Sequence, residues 1–455
     1  MSDFASLGLG ARALQAAQRG LDLSGQNISN VNTAGYSRQR LDQVAQGSSV
    51  VPSMWAAGPV TGDGVLVRGT ERIRDEFLEA RAQEVHGSQA LAATAQSTLG
   101  AVEGAFGEPG STGLQSQLSA FWNAWHDVAN DPTSSAPRTA LLAKATQLAG
   151  AFNRVADDLD QQWTDGREQL VATVSQVNQA AADVARLNDA IRSATASGVP
   201  AHELSDQRDQ LVLQLGESVG AVGRLAEDGT VTVTVGGTAL VSGNRASELT
   251  VTGQATRAAG GGAGVAWAAS GTAATLGGGT AQGLLTALTT TLPTYAGALD
   301  AVAASVATTV NSQQAAGYDR TGTTGSPLFG GTTAGALRVA MDDPTGVAAS
   351  SAPPPAYDGG NASAMAAHLG DATGPDASYR SLVVQLGVES QSASRQADVQ
   401  AVVLRQVDTA RQGVSSVSLD EEMTNLMSYQ HAYAAAARFV TAVDETLSTL
   451  MTMAR

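Results

Sequence analysis

Five imidazoles, on His86, His126, His202, His368 and His431, are what this 455-residue chain offers for general acid–base work or metal binding, and no two are close in sequence. His202-Glu203 opens the pair that a zinc hydrolase carries on a helix, but Asp206 stands where the second histidine is needed. There is no cysteine, so thiolate nucleophiles, thiolate metal sites and disulfides are all excluded. Gly8-x-Gly10-x-x-Ala13 has the letters of a dinucleotide fingerprint without a strand before it. The triplets Gly260-Gly261-Gly262 and Gly277-Gly278-Gly279 lack the Lys-Ser/Thr of a phosphate loop and read as turns. Glu421 and Glu422 lie near the start of the last helical run, where negative charge offsets the helix dipole. No catalytic, metal or cofactor-binding residues are expected. Trp122, Trp125 and Trp163 read as core.

Composition agrees with a scaffold. Hydrophobic residues make up 43% of the chain and aromatic residues only 4%, so the core must be built mainly from Ala, Val and Leu. A formal net charge of −16, with Lys144 as the sole lysine, argues against nucleic acid and anionic membrane surfaces, which need a basic face. No apolar run approaches the roughly 18 residues of a membrane span. Met1-Ser2-Asp3-Phe4 leads into an amphipathic pattern, not a basic flank and apolar core, so no cleaved signal peptide is expected.

The elements that position these residues are mostly helical. Leu7, Leu14, Leu21 and Ile28 recur every seven residues, with Gly10, Ala17 and Ser24 between them on the same face. That alternation of large and small lets two helices approach closely. At the other end Leu419, Met423, Leu426, Tyr433, Ala437, Val440, Leu447 and Met451 form a matching stripe. Between the ends, apolar spacing predicts helices over Leu78–Phe106, around Phe121–Val128, from about Arg138 to Ser197, over Leu284–Asn311 and over Leu382–Val414. The third would extend roughly 90 Å at 1.5 Å per residue, which is the length of a rod. Thr230–Val235 alternates strictly between Asp228-Gly229 and Gly236-Gly237, the mark of half-buried strands and tight turns. Leu249–Thr252 and Val265–Trp267 extend this β region, and 317–360 is loop-rich with one strand at Leu337-Arg338-Val339. The expected architecture is α+β: a long helical rod or bundle, paired coiled-coil-like terminal helices and a small inserted β-rich domain. Its parts are 1–40 with 418–455, the rod 41–215 with 282–316 and 361–417, the β insertion 216–281, and the loop segment 317–360.

The ends are weak as solitary helices. Burying four large aliphatic side chains contributes about 6–12 kcal/mol, while ordering a helix of this length costs about 1–2 kcal/mol per residue in backbone entropy, only partly recovered by helical hydrogen bonding. Such ends are expected to be mobile in a monomer and ordered only among neighbouring copies.

Two motifs carry a family resemblance. Asn27-Ile28-Ser29-Asn30-Val31-Asn32-Thr33-Ala34-Gly35-Tyr36 resembles the Asn-rich motif near the start of flagellar rod, hook and hook-associated axial proteins, with Ala34 where many relatives have proline. Glu422-Met423-Thr424-Asn425-Leu426-Met427-Ser428-Tyr429-Gln430-His431-Ala432-Tyr433 resembles their C-terminal signature, with His431 unusual at its place. Tyr36-Ser37-Arg38-Gln39, Leu204–Leu211, and Leu292-Pro293 followed by Gly317-Tyr318-Asp319 resemble one branch of the family, so the similarity covers most of the chain.

The resemblance implies a non-enzymatic structural adaptor, polymerising between hook and filament and required for filament growth. Another flagellar axial protein, such as hook protein or the distal junction protein, or an axial protein whose β insertion is an adhesive or binding module, is the alternative. Implied partners are copies of itself in a ring, hook protein, the next hook-associated protein and a cytosolic export chaperone on the C-terminal helix. Neither nucleic acid nor membrane insertion is implied. The location would be extracellular, reached by type III export without cleavage. The expected assembly interface is Leu7, Leu14, Leu21, Asn27, Ile28, Asn30, Asn32, Gly35 and Tyr36 with Leu419, Met423, Asn425, Leu426, Tyr429, Gln430, Tyr433, Val440, Leu447 and Leu450.

Overall fold

The computed structural model describes residues 2–47, 62, 64–257 and 262–453. Gly260 and Gly261 of the first glycine triplet, and Met1, lie outside the described residues, as do residues 48–61 and 63 of the expected rod.

Helix α1 (Ser2–Ser29) is followed by strand β1 (Gln39–Gln46) and strand β2 (Gly64–Arg72), which pair antiparallel with a register shift at Asp42/Gln43. This ladder lies within a stretch expected to be helical rod. Then come α2 (Glu76–Phe106), α3 (Leu114–Asn130), the 62-residue α4 (Ser135–Ala196) and α5 (His202–Val219). Asp75 caps α2 by accepting from the amides of Phe77 and Leu78, and Gly107 ends it in the left-handed conformation.

The β insertion holds two small sheets. Strands β3 (Val222–Leu225), β4 (Val231–Val235), β5 (Thr238–Ser242) and β6 (Arg245–Ala246) lie in sequence order, all antiparallel. Strands β7 (Leu249–Thr252) and β8 (Gly264–Trp267) pair separately. Val231, Val233 and Val235 are buried while Thr232 and Thr234 are not, as period-two alternation requires. Residue 216, the expected start of this insertion, falls inside α5.

Helix α6 (Gly279–Thr286) leads through a π-helical turn at Ala287–Thr291 into α7 (Leu292–Ala316). Pro293 explains the turn: it has no amide hydrogen, and its ring would strike the carbonyl one α-turn back. Strands β9 (Phe329–Gly330) and β10 (Arg338–Val339) form a minimal ladder in the loop-rich segment. The short α8 (Gly360–Ala366), α9 (Pro375–Ser415) and α10 (Leu419–Met453) complete the chain.

One continuous core runs through the body. Trp122, Trp125, Phe121, Phe152, Trp163, Tyr295 and Tyr379 are fully buried, interleaved with Leu, Val and Ala from α2, α3, α4, α7 and α9. Close approach is purchased with glycine where the β insertion meets the rod. A Cβ on Gly87 would lie 2.9 Å from Gly216 O, and one on Gly220 (φ +67°) 2.3 Å from Gly278 N. The second glycine triplet, read as a turn, thus holds the crossing where the chain re-enters the helical body.

Candidate functional site

Helices α1 and α10 pack on each other antiparallel, since Gly10 meets Phe439 and Val440 while Gly20 meets Tyr429. The buried side of α1 is its small side: Gly10, Ala16, Ala17, Gly20 and Ser24, with Leu23. A Cβ on Gly20 would sit 2.5 Å from the Tyr429 ring. Leu7, Leu14, Leu21 and Ile28, expected to make the seam, are half-buried on its flanks. The stripe of α10 is also split. Asn425, Leu426, Tyr429, Val440 and Leu447 are half-buried, whereas Leu419, Met423, Gln430, Tyr433 and Leu450 are exposed. On α1 the small residues take the seam because they leave room for Tyr429, Phe439 and Val440 of α10, with the leucines of α1 on its flanks.

Beyond α1 the chain turns through Asn30–Gly35. Asn30 is half-buried and donates Nδ2 to Gln26 O at 3.0 Å; Asn32 and Gly35 are exposed. Gly35 has a φ of +77°, and a Cβ there would collide with Gln210, so the position requires glycine. Asn27 is 1% exposed and fully satisfied. Its Oδ1 accepts from Tyr36 Oη (2.8 Å) and the Gln39 amide (3.2 Å), and its Nδ2 donates to Gln39 O (2.9 Å). Burial, with the carboxylates of Asp206, Glu203 and Glu422 nearby, pushes the Tyr36 phenol up to about 12.

The segment Tyr36–Gln39 is the joint between the terminal pair and the body. The Ser37 amide donates to Asp206 Oδ2 (3.1 Å) on α5, and the Arg38 amide to Ser415 O (2.9 Å) at the end of α9. The Arg38 guanidinium pairs with Glu422 (2.8 Å) and Glu421 (2.5 Å) on α10. A chain of alternating charges continues into the body. Arg72 bridges Asp206 (2.9 Å) and Asp209 (2.7 Å), Arg74 joins Asp209 to Glu79, and Arg411 reaches Glu79 at 3.6 Å. Burial raises the Asp206 carboxyl, opposed by the Ser37 amide and Arg72; burial likewise lowers the Arg208 guanidinium, opposed by Asp209. A cavity of about 330 Å³, lined by Asn30, Tyr36, Arg74, Asp206 and Arg411 among others, lies within the joint.

Sequence reasoning assigned Glu421 and Glu422 to the helix dipole; in the fold they also receive Arg38. The charge pattern of Leu204–Leu211 was the available signal for Asp206 and Asp209, but their partners lie far away in sequence. His202 has Nε2 at 2.8 Å from Thr70 Oγ1 and 2.9 Å from Thr70 O, tying α5 to β2. Among the described residues no three His, Cys, Asp or Glu side chains are grouped to hold a metal, and no helix is long and apolar enough to cross a membrane. The arrangement is suited to holding two bodies at a defined angle and presenting apolar side chains for packing.

Comparison with known proteins is consistent across its parts. Residues 99–329 match the family model described as the flagellar hook-associated protein FlgK helical domain. Residues 412–453 match the flagellar basal body rod FlgEFG protein C-terminal model. Flagellar hook-associated protein 1 of Bacillus subtilis is 32% identical, over 98% of this chain and 97% of its own. That of Salmonella typhimurium is 31% identical over 52% of this chain and 42% of its own. Among solved structures, the flagellar hook junction protein FlgK from Burkholderia pseudomallei superposes with a TM-score of 0.65 at 16% identity, covering 74% of this chain and all of that one, a likeness of fold.

Proposed function

The chain belongs to the flagellar hook-associated protein 1 family, and from that premise we propose that it is a structural adaptor polymerising at the junction between hook and filament. Its place is the flagellum, and its task mechanical. The near full-length match to a hook-associated protein 1 carries the reading. Large apolar side chains left exposed on α10, namely Leu419, Met423, Met427, Tyr433 and Leu450, support it, because so many on one surface helix call for covering partners.

In this reading residues 1–40 with 418–455 form the assembly domain, whose outer side chains pack on neighbouring copies. The rod and loop segment stand outside it and the β insertion of 216–281 outermost. Hook protein lies on one side and the next hook-associated protein on the other. An export chaperone covers the apolar row of α10 before secretion, which proceeds without cleavage.

Gold-labelled antibody on isolated flagella tests the location: label confined to the hook–filament boundary is expected, and label distributed along the hook would refute the reading. Gly20→Leu, which forces a side chain into the Tyr429 ring, is expected to leave the body folded and to abolish filament growth.

A further inference from the structure

We propose that the segment Leu204–Leu211 of α5 is a coupling element, through which a change at the terminal joint is felt in the β insertion. The inference goes beyond the junction reading and does not depend on it.

The polar side chains of this segment hold partners on two sides. Asp206, 7% exposed, accepts the Ser37 amide on Oδ2 at 3.1 Å and Arg72 Nη1 on Oδ1 at 2.9 Å. Arg72 donates its other terminal nitrogen to Asp209 Oδ2 at 2.7 Å. Asp209 Oδ1 accepts from Arg208 Nη2 at 3.1 Å and Nε at 3.2 Å. Arg208, 2% exposed, then donates Nη1 to Gly229 O at 2.6 Å. Gly229 lies in the turn between β3 and β4. An unbroken line of bonds therefore leads from the segment that joins the terminal pair to the first hairpin of the insertion.

Burial makes the line stiff. A charge out of reach of water cannot be left unpaired without large cost, so when one member shifts its neighbour has to follow. Asp206 and Asp209 each hold a different partner on each oxygen, and neither can turn toward one without releasing the other.

Packing does not duplicate the link. Strand β2, which carries Arg72, and strand β3 line a common cleft of about 640 Å³ and share no substantial packing. The hairpin has other anchors. Asn188 of α4 accepts the Val231 amide at 2.9 Å and donates to Val231 O at 2.8 Å, and Gln83 of α2 accepts the Gly223 amide at 2.9 Å. These fix where the hairpin sits, so loss of Arg208 leaves it in place while cutting its line to Ser37.

Hydrogen exchange of the intact chain, read by mass spectrometry at the turn (226–231) and at the joint (36–39), tests the coupling. Asp206→Asn preserves shape and lies at the far end of the line from Gly229. It is expected to speed exchange at the turn about fivefold and to leave the next turn, 243–244, unchanged. Arg208→Gln is expected to speed the turn and also the joint, because coupling between two sites is reciprocal. The double variant should exceed the larger single effect by little, since both substitutions break one line. Asp228→Ala loosens the same turn from outside the line, by removing the acceptor of the Thr230 amide and hydroxyl. It should speed 226–231 and leave 36–39 as in wild type. If Arg208→Gln does not fold, Arg208→Lys, which keeps the positive charge, replaces it with the same expected signs. A turn indifferent to Asp206→Asn, single effects that multiply in the double variant, or a joint loosened as much by Asp228→Ala as by the Arg208 variant would each overturn the proposal.

Discussion

The indole Nε1 of Trp163 donates to the carbonyl oxygen of Leu288 at 3.0 Å, joining the middle of α4 to the π-helical turn before α7. The bond fills a vacancy in the helix ladder. The Leu292 amide is bonded to Ala287 O, and Pro293, the next residue, has no amide hydrogen to give. Trp163→Phe removes the donor and leaves that carbonyl buried. Urea unfolding is expected to report a loss of about 1–3 kcal/mol, with further loss from the unfilled volume. An unchanged midpoint would show that the carbonyl finds another partner.

Arg38→Ala leaves Glu422, 2% exposed, without its cation. Breaking a buried pair costs about 3–5 kcal/mol; because Arg38 is itself 19% exposed, about 2–3 kcal/mol is expected, confined to the docking of the terminal pair. Arg38→Ala with Glu422→Gln should recover part of it. Hydrogen exchange in α1 and α10 against α4 measures this: faster exchange in the terminal pair alone is the expected result, and uniform acceleration would refute a local role.

Alkali should loosen the same joint. The folded Tyr36 phenol is raised from 10.0 to about 12, so the folded state favours its neutral form. That contribution is complete below pH 10 and is lost as pH rises from 10 through about 12. A difference titration at the phenolate absorbance, wild type minus Tyr36→Phe, should show a group ionising near 12. Ionisation near 10 would mean that the phenol is not buried beside Asp206, Glu203 and Glu422.

Gly220→Ala is expected to destabilise the body by about 2–5 kcal/mol, combining a left-handed backbone with overpacking against Gly277 and Gly278. Gly237→Ala, also at positive φ but with open space around its Cβ, is the comparison; it should lose only the backbone part, about 1–2 kcal/mol. Equal losses would argue against a crossing that depends on closeness.

How much could be read from the sequence follows the range of the interactions. Helix α4 was legible because Leu141 through Ile191 repeat at steps of three and four, a local pattern that tertiary packing reinforces. The alternation of Thr230–Val235 was legible for the same reason. The seam between α1 and α10 was not, because apolar pattern points to the leucines while Gly10 and Gly20 meet α10, and their contribution is the absence of bulk. Strand β2 is not legible, because Gly64–Arg72 reads neither as a helical stripe nor as clean alternation. The joint was least accessible: Arg38 meets Glu422 across 384 positions and Arg72 meets Asp206 across 134. No local pattern encodes such pairings; only the family likeness of both motifs pointed there.

Because α1 and α10 run antiparallel, the chain enters the body through residues 36–38 and leaves it through 415–418, two strands side by side and joined by the Arg38–Ser415 bond. One covalent thread would act as a swivel, allowing the body to spin freely about its attachment. A pair of threads resists torsion while still permitting bending, as a strap hinge does. Torsion applied to the terminal pair is therefore passed to the body, while the joint remains free to bend.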